Sequence, residues 1–229
     1  MMKAVIRELA QARRHYATLP LFEFLRSDAI APRDRLAFFP AMAPFVLAFP
    51  DLNRFVLRDE ASGDPYQLLV NEFTYQNDQH WTLYLEDIAK LGFDRSTSLT
   101  QLLRAGLKDN STESRLLVPR LAQILYRASP LEKFVIVESI AGTSDVLIGV
   151  THSIATRVYA DGGPELRYLR HAQHRYDLRV LEGTPLNATQ RVRCLDLCFR
   201  VFDVFADWTN ELLAHARASL ARQAVPNVA

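Results

Sequence analysis

The side chains whose type and spacing could do chemistry are Glu138, His80 and the series His171, His174 and Asp177. Glu138 interrupts the apolar run Val135-Ile136-Val137-Glu138-Ser139-Ile140. A carboxylate in such a run is at least partly buried, which costs several kcal/mol unless it is paired, protonated or metal-bound. Glu138 is therefore the best single candidate on physical grounds, either as a general base of raised pKa or as a metal ligand. The competing reading is a carboxylate that completes a structural hydrogen-bond network. On the same helix Glu138, Asp145 and His152 recur every seven residues, each about 10 Å from the next along the axis, with Gly142 and Gly149 on the shared face. That face suits a pocket wall or a close helix crossing.

His80 lies in Asn71–Ile88, a stretch that reads as one helix crowded with amides where a buried helix is mostly apolar. Residues three and four apart share a face, so Phe73, Asn77, His80 and Tyr84 align, with Gln76 at the edge. Asp78 falls roughly 200° round from His80 and cannot join it on one metal. His80 is thus the one good ligand of its face, or else a histidine hydrogen-bonded at a pocket wall. Phe73, Gln76 and Tyr84 are expected to line a substrate pocket, and Tyr75 and Trp81 to pack against neighbouring helices. His171, His174 and Asp177 form an i, i+3, i+6 series, a spacing that helical di-iron bundles use and that solvated faces also produce. Arg167, Arg170, Arg175 and Arg179 surround it.

Other chemistries find no footing. No serine has a convincing His/Asp arrangement. Cys194 and Cys198, four apart on an apolar helix, read as packing residues, because a disulfide along a regular helix is geometrically poor. Neither GxGxxG nor GxxxxGK[ST] occurs. Lys and Arg total 27 against 26 Asp and Glu, a net charge of +1, without the basic excess of a nucleic-acid binder. The N-terminus lacks an apolar stretch of signal-peptide length. The longest weakly charged run, 139–156, is broken by Asp145, so a buried helix is expected there rather than a membrane span. The chain is expected to be cytoplasmic.

Helical periodicity supplies the elements that position these residues. Helices are expected over about 3–16, from 19, in a kinked or split segment over 34–49 that carries Pro40 and Pro44, and through 51–58. Further helices are expected over 65–91, 99–108 and 113–128. A long buried helix begins at Ser129-Pro130-Leu131-Glu132, where serine N-cap, proline and glutamate make a capping box. It ends at the 160–164 loop. Helices over 165–181 and 187–222 follow, the last with a core stripe of Val192, Leu195, Phe199, Val201, Phe202, Phe205 and Trp208. No strand-length alternation, repeat or low-complexity linker occurs. The reading is all-α: a single domain over 1–229 of about eight helices, frayed over 223–229.

At Asn71–Leu91, above all in His80-Trp81-Thr82-Leu83-Tyr84-Leu85-Glu86-Asp87 with Lys90-Leu91-Gly92 after it, and at Leu166–Val180, the chain resembles the haem-oxygenase-like superfamily. That superfamily includes thiaminase-like (TenA-like), PQQ-synthase-like and non-haem di-iron oxidase proteins. The resemblance implies a haem-oxygenase-like helical bundle. It also implies metal ligands at His80, Glu138 and His174 (or His171) with Asp177, iron as the possible cofactor, and a homodimer. The chain departs from the metal-using pattern. Phe73 stands where those relatives carry a glutamate, and neither register of the late helix completes His-x3-Asp-x2-His. The expectation is a small-molecule-binding protein and, if an enzyme, an oxidoreductase with a reduced or absent metal site. In the metal-free version Glu138 is the general base and His80 orients substrate. The alternative is a non-catalytic binding or partner protein that kept the fold and lost the ligands. A small-molecule ligand is expected as partner, with neither nucleic acid nor membrane.

Overall fold

The computed structural model describes residues 1–94, 96, 98–107, 111–170 and 178–224, and those residues form helices and turns without a strand. The order is α1 Met2–Tyr16, α2 Pro20–Arg26, α3 Pro32–Arg35, α4 Ala43–Leu52, α5 Pro65–Asn77, α6 His80–Lys90, α7 Leu99–Gly106, α8 Thr112–Leu125, α9 Pro130–Ala160 and α10 Ala188–Ala224. The all-α class of about eight helices holds.

Residues 134–143 of the long helix α9 are all buried, which is the pattern of a helix covered by neighbours on every side. Its start is fixed as the residues dictate. Ser129 Oγ accepts from Glu132 N at 3.4 Å, Ser129 N donates to Glu132 Oε2 at 2.8 Å, and Pro130 opens the first turn. Helices α1, α5 and α10 pack along it, and α8 closes against α4 and α10. Prolines divide the apolar 34–57 segment. Leu36–Met42 is a 3-10 turn around Pro40, α4 carries Pro44 in its first turn, and Asn53–Leu57 is a π-turn just after Pro50. Each proline removes a backbone donor, and the chain takes up the loss in non-α turns.

Two expectations about elements are corrected. The helix expected over 65–91 is two, because Asp78 and Gln79 form a turn between α5 and α6. The described residues of the helix expected over 165–181 are not α-helical: they carry 3-10 turns at Tyr168–Arg170 and Leu178–Leu181. The α10 stripe is buried at Val201, Phe202, Phe205 and Trp208, whereas Val192 and Phe199 are exposed at 63% and 45%. Packing covers the middle of α10 but leaves its outer ridge to solvent. Cys194 and Cys198 are free and buried, and burial pushes the Cys194 thiol up to about 11. Neither is poised as a nucleophile, since the thiolate is the reactive form.

Candidate functional site

The crowded amides of α5 serve the chain that precedes it. Gln67 Nε2 donates to Leu57 O at 2.8 Å and to Asn71 Oδ1 at 2.9 Å, and Asn71 Nδ2 donates to Asp59 O at 2.8 Å. Their work is to satisfy the backbone that leaves the π-turn, where buried groups would otherwise go unpaired. Arg58 then locks the helix end. Its Nη2 reaches Asp78 Oδ2 at 2.6 Å, its Nε donates to Thr74 Oγ1 at 2.9 Å, and its guanidinium lies 4.0 Å from the centre of the Tyr75 ring. Asp78 thus belongs to a charge-assisted clamp, and α6 restarts at His80. Tyr75 is half-exposed and donates to Glu60.

His80 borders two small adjoining cavities, each of about 40 Å³. Both are also bordered by Phe45 of α4, Ser144 of α9 and Tyr168. Tyr16, Phe205 and Trp208 close the first, and Phe73, Asn77 and Trp81 the second. Each has room for only a few waters, whereas a pocket for a drug-sized molecule spans roughly 300–1,000 Å³. The walls are aromatic with polar groups at His80, Ser144, Thr143 and the phenols of Tyr16 and Tyr168. Burial pushes both phenols above their ordinary range, so they stay protonated and can donate.

The chain brings Phe73, Asn77 and His80 together although the helix breaks between them. Two other expected neighbours sit elsewhere, and one residue expected elsewhere is here. Tyr84 is fully buried, its hydroxyl donates to Phe39 O at 2.8 Å, and its ring packs on Phe39 and Tyr168 behind the cavity wall. Gln76 turns outward and donates to Glu72 Oε1 at 3.3 Å. Trp81, expected to pack between helices, is 37% exposed at the rim of the second cavity.

Glu138 is buried at 5% exposure, but it is not among the residues bordering the cavities at His80. Ile140, which does border one, is two residues on and so about 200° round the helix. One turn beyond Glu138 its face carries Gly142, whose surroundings are Phe202 of α10 and Leu9 and Arg13 of α1. The every-seventh series continues to Asp145, paired with Arg13 at 3.3 Å, and ends at the exposed His152. It runs from the core to the surface and walls no single pocket. His171, His174 and Asp177 lie outside the described residues. Among the described residues no group of three His, Cys, Asp or Glu side chains could hold a metal ion. His80 and Glu138 are thus the described members of the ligand set that the resemblance implies, and among the described residues they border no common cavity.

Two carboxylates that build the site were not singled out from the sequence. Asp87 is fully buried and accepts from the backbone N–H of Arg167 at 2.9 Å, Tyr168 at 2.9 Å and Leu169 at 3.3 Å. It fastens the turn that presents Tyr168 to the cavities. Burial raises its pKa, and the three N–H groups pull it back. The available signal was its place in the last turn of α6, where a negative charge opposes the helix dipole and needs a partner from outside. Glu211 of α10 caps α8 in the same manner. It accepts from Glu113 N at 2.8 Å, Ser114 N at 2.9 Å and Ser114 Oγ at 2.6 Å, and Trp208 Nε1 donates to Ser114 Oγ at 3.2 Å.

No family model matches the chain, and no curated protein matches it. The class of the protein is accordingly the one its helices define: an all-α bundle with small aromatic cavities beside its longest buried helix.

Proposed function

We propose that the protein binds a small organic molecule at the His80 cavities of a haem-oxygenase-like helical fold. The observation that supports this is the convergence of His80, Ser144, Thr143 and two protonated phenols on aromatic-walled space inside the bundle. Convergent polar groups in an apolar recess are the usual form of a ligand site. The space admits only a few atoms of a ligand, so a larger molecule displaces the half-exposed Trp81 rim. If the protein is an enzyme of the oxidoreductase type, His80 is the acid–base group at the reacting atoms, and Glu138 acts from outside the cavity.

The second reading, a binding or partner protein without catalysis, has its own support. The polar residues of α5 that suggested a ligand helix are spent on structure: Gln67 and Asn71 on the 57–59 backbone, and Asp78 on Arg58.

Metal analysis and a thermal-shift screen of the purified full chain separate the readings. Iron near one per chain that is lost in His80→Ala and Glu138→Ala would favour the oxidase reading. Metal-free protein that is stabilised by a small molecule, with the shift lost in His80→Ala, supports binding at the cavity. Metal-free protein with no ligand-induced shift leaves the partner-protein reading.

A further inference from the structure

The opposite side of α9 carries a different kind of recess. Gly149 and Val150, with Arg26 of α2, border two joined spaces of about 530 and 350 Å³ between α9 and the first two helices. Each is large enough for a small molecule. Among the described residues, the charged groups around them are Arg13, Arg14, Arg26, Arg35 and Arg157 against Asp28 and Asp145. Positive charge is in excess by three on a protein whose net charge is +1.

Arg35 carries the argument. Its side chain is 6% exposed, yet its Nη1 donates only to Leu25 O at 3.0 Å and its Nη2 lies 3.9 Å from Asp28. Its Nε is buried without a hydrogen-bond partner. Asp28 is itself 77% exposed and is held more closely by Arg157, at 2.7 Å. A buried guanidinium so weakly paired is costly, and a planar fork of donors matches the oxygens of a phosphate or carboxylate. Apart from Ser153 the rest of the lining is apolar, with Leu9, Val146, Val150 and Ile154 among it, and nothing stands within 4 Å of where a Cβ of Gly149 would be.

We propose that this cleft is a binding site for a small organic anion. Its oxyanion head, phosphate or carboxylate, is held by Arg35, Arg26 and Arg157, and its apolar body lies along α9 over Gly149. The site is separate from the His80 cavities and stands whether or not they bind a ligand.

Calorimetric titration of the full chain with 1-naphthyl phosphate, 1-naphthoate, 1-naphthol and inorganic phosphate tests it. Saturable binding of one or both naphthyl anions is expected, and the tighter of the two identifies the head group. Affinity should fall by about tenfold or more in Arg35→Lys and in Arg26→Gln/Arg157→Gln, a loss of at least one charged contact. The double variant alters exposed side chains and so separates lost binding from lost folding. The proposal is overturned by any of three results: no saturable binding to about 1 mM, equal affinity for 1-naphthol or inorganic phosphate, or unchanged affinity in the double variant.

Discussion

On one side of α9, Thr143, Ser144 and Leu147 wall a space of about 40 Å³ beside His80. On the other, Asp145, Gly149 and Val150 wall one of about 530 Å³ ringed by arginines. The inner side is filled because aromatic residues converge on it: Phe45, Phe205 and Trp208 pack with ring centres 5.1–5.7 Å apart. The outer side stays open because α9 presents a glycine there and the neighbouring helices contribute long cationic side chains, which are hydrated at their tips. Of the residues with the chemistry most visible in the sequence, His80 borders the smaller space. The larger one is built from arginines that, singly, look like solvated surface.

Separating the supports of the two spaces gives the largest expected effect. Asp87→Ala strands three backbone donors, one of them buried and two partly buried, and frees Tyr168. It should cost about 2–4 kcal/mol in urea unfolding, while the arginine cleft of the refolded protein keeps its ligand. Loss of both would show the two sides to be one cooperative unit. The pH dependence carries a sign. Burial raises the Asp87 pKa above its ordinary 3.8, so the folded state holds more protons than the unfolded state as pH rises above that value. The contribution of Asp87 to stability falls through that window. The stability advantage of wild type over Asp87→Asn should therefore be larger near pH 4 than at pH 7.

Gly149→Leu places a side chain in open space at the cleft and should weaken 1-naphthyl phosphate by about tenfold or more with the fold retained. Ser144→Leu, which fills the inner cavities, should leave that affinity within about twofold and change stability by less than about 2 kcal/mol. The opposite pattern of affinities would exchange the roles of the two sides. The smallest effect is conformational. Gly149→Ala meets nothing within 4 Å and should raise stability by about 0.5–1 kcal/mol. Gly142→Ala meets Phe202 at 3.4 Å and should gain less. Chemical denaturation of the pair reads the difference in packing on the two sides directly.

Much of the helical layout was legible. Ser129, Pro130 and Glu132 announce the start of α9 through bonds that lie within four residues, and Pro40 and Pro44 announce the divided segment through the donors they lack. The α5–α6 turn was not legible, because periodicity does not reveal that Asp78 pairs with Arg58, twenty residues earlier in the chain. Nor was the site. Phe73 and His80 do meet, but Tyr84 is drawn to the carbonyl of Phe39, and Glu138 shares a helix with Ser144 without sharing its cavity. Helical faces projected from sequence also assume an unbroken helix, and that assumption fails between Asn77 and His80.

The sequence by itself determined the all-α class, the long buried helix with its capping box, and the inert burial of Cys194 and Cys198. Those follow from interactions among near neighbours and from the spacing of apolar residues. Only the tertiary structure decided that Asp87 and Glu211 are caps for other segments, that Asp78 is a clamp, and that Arg26, Arg35 and Arg157 converge on one recess. Each of those depends on which helix faces which across the core, and the burial and charge pairing that fix the outcome exist only once distant segments are packed together.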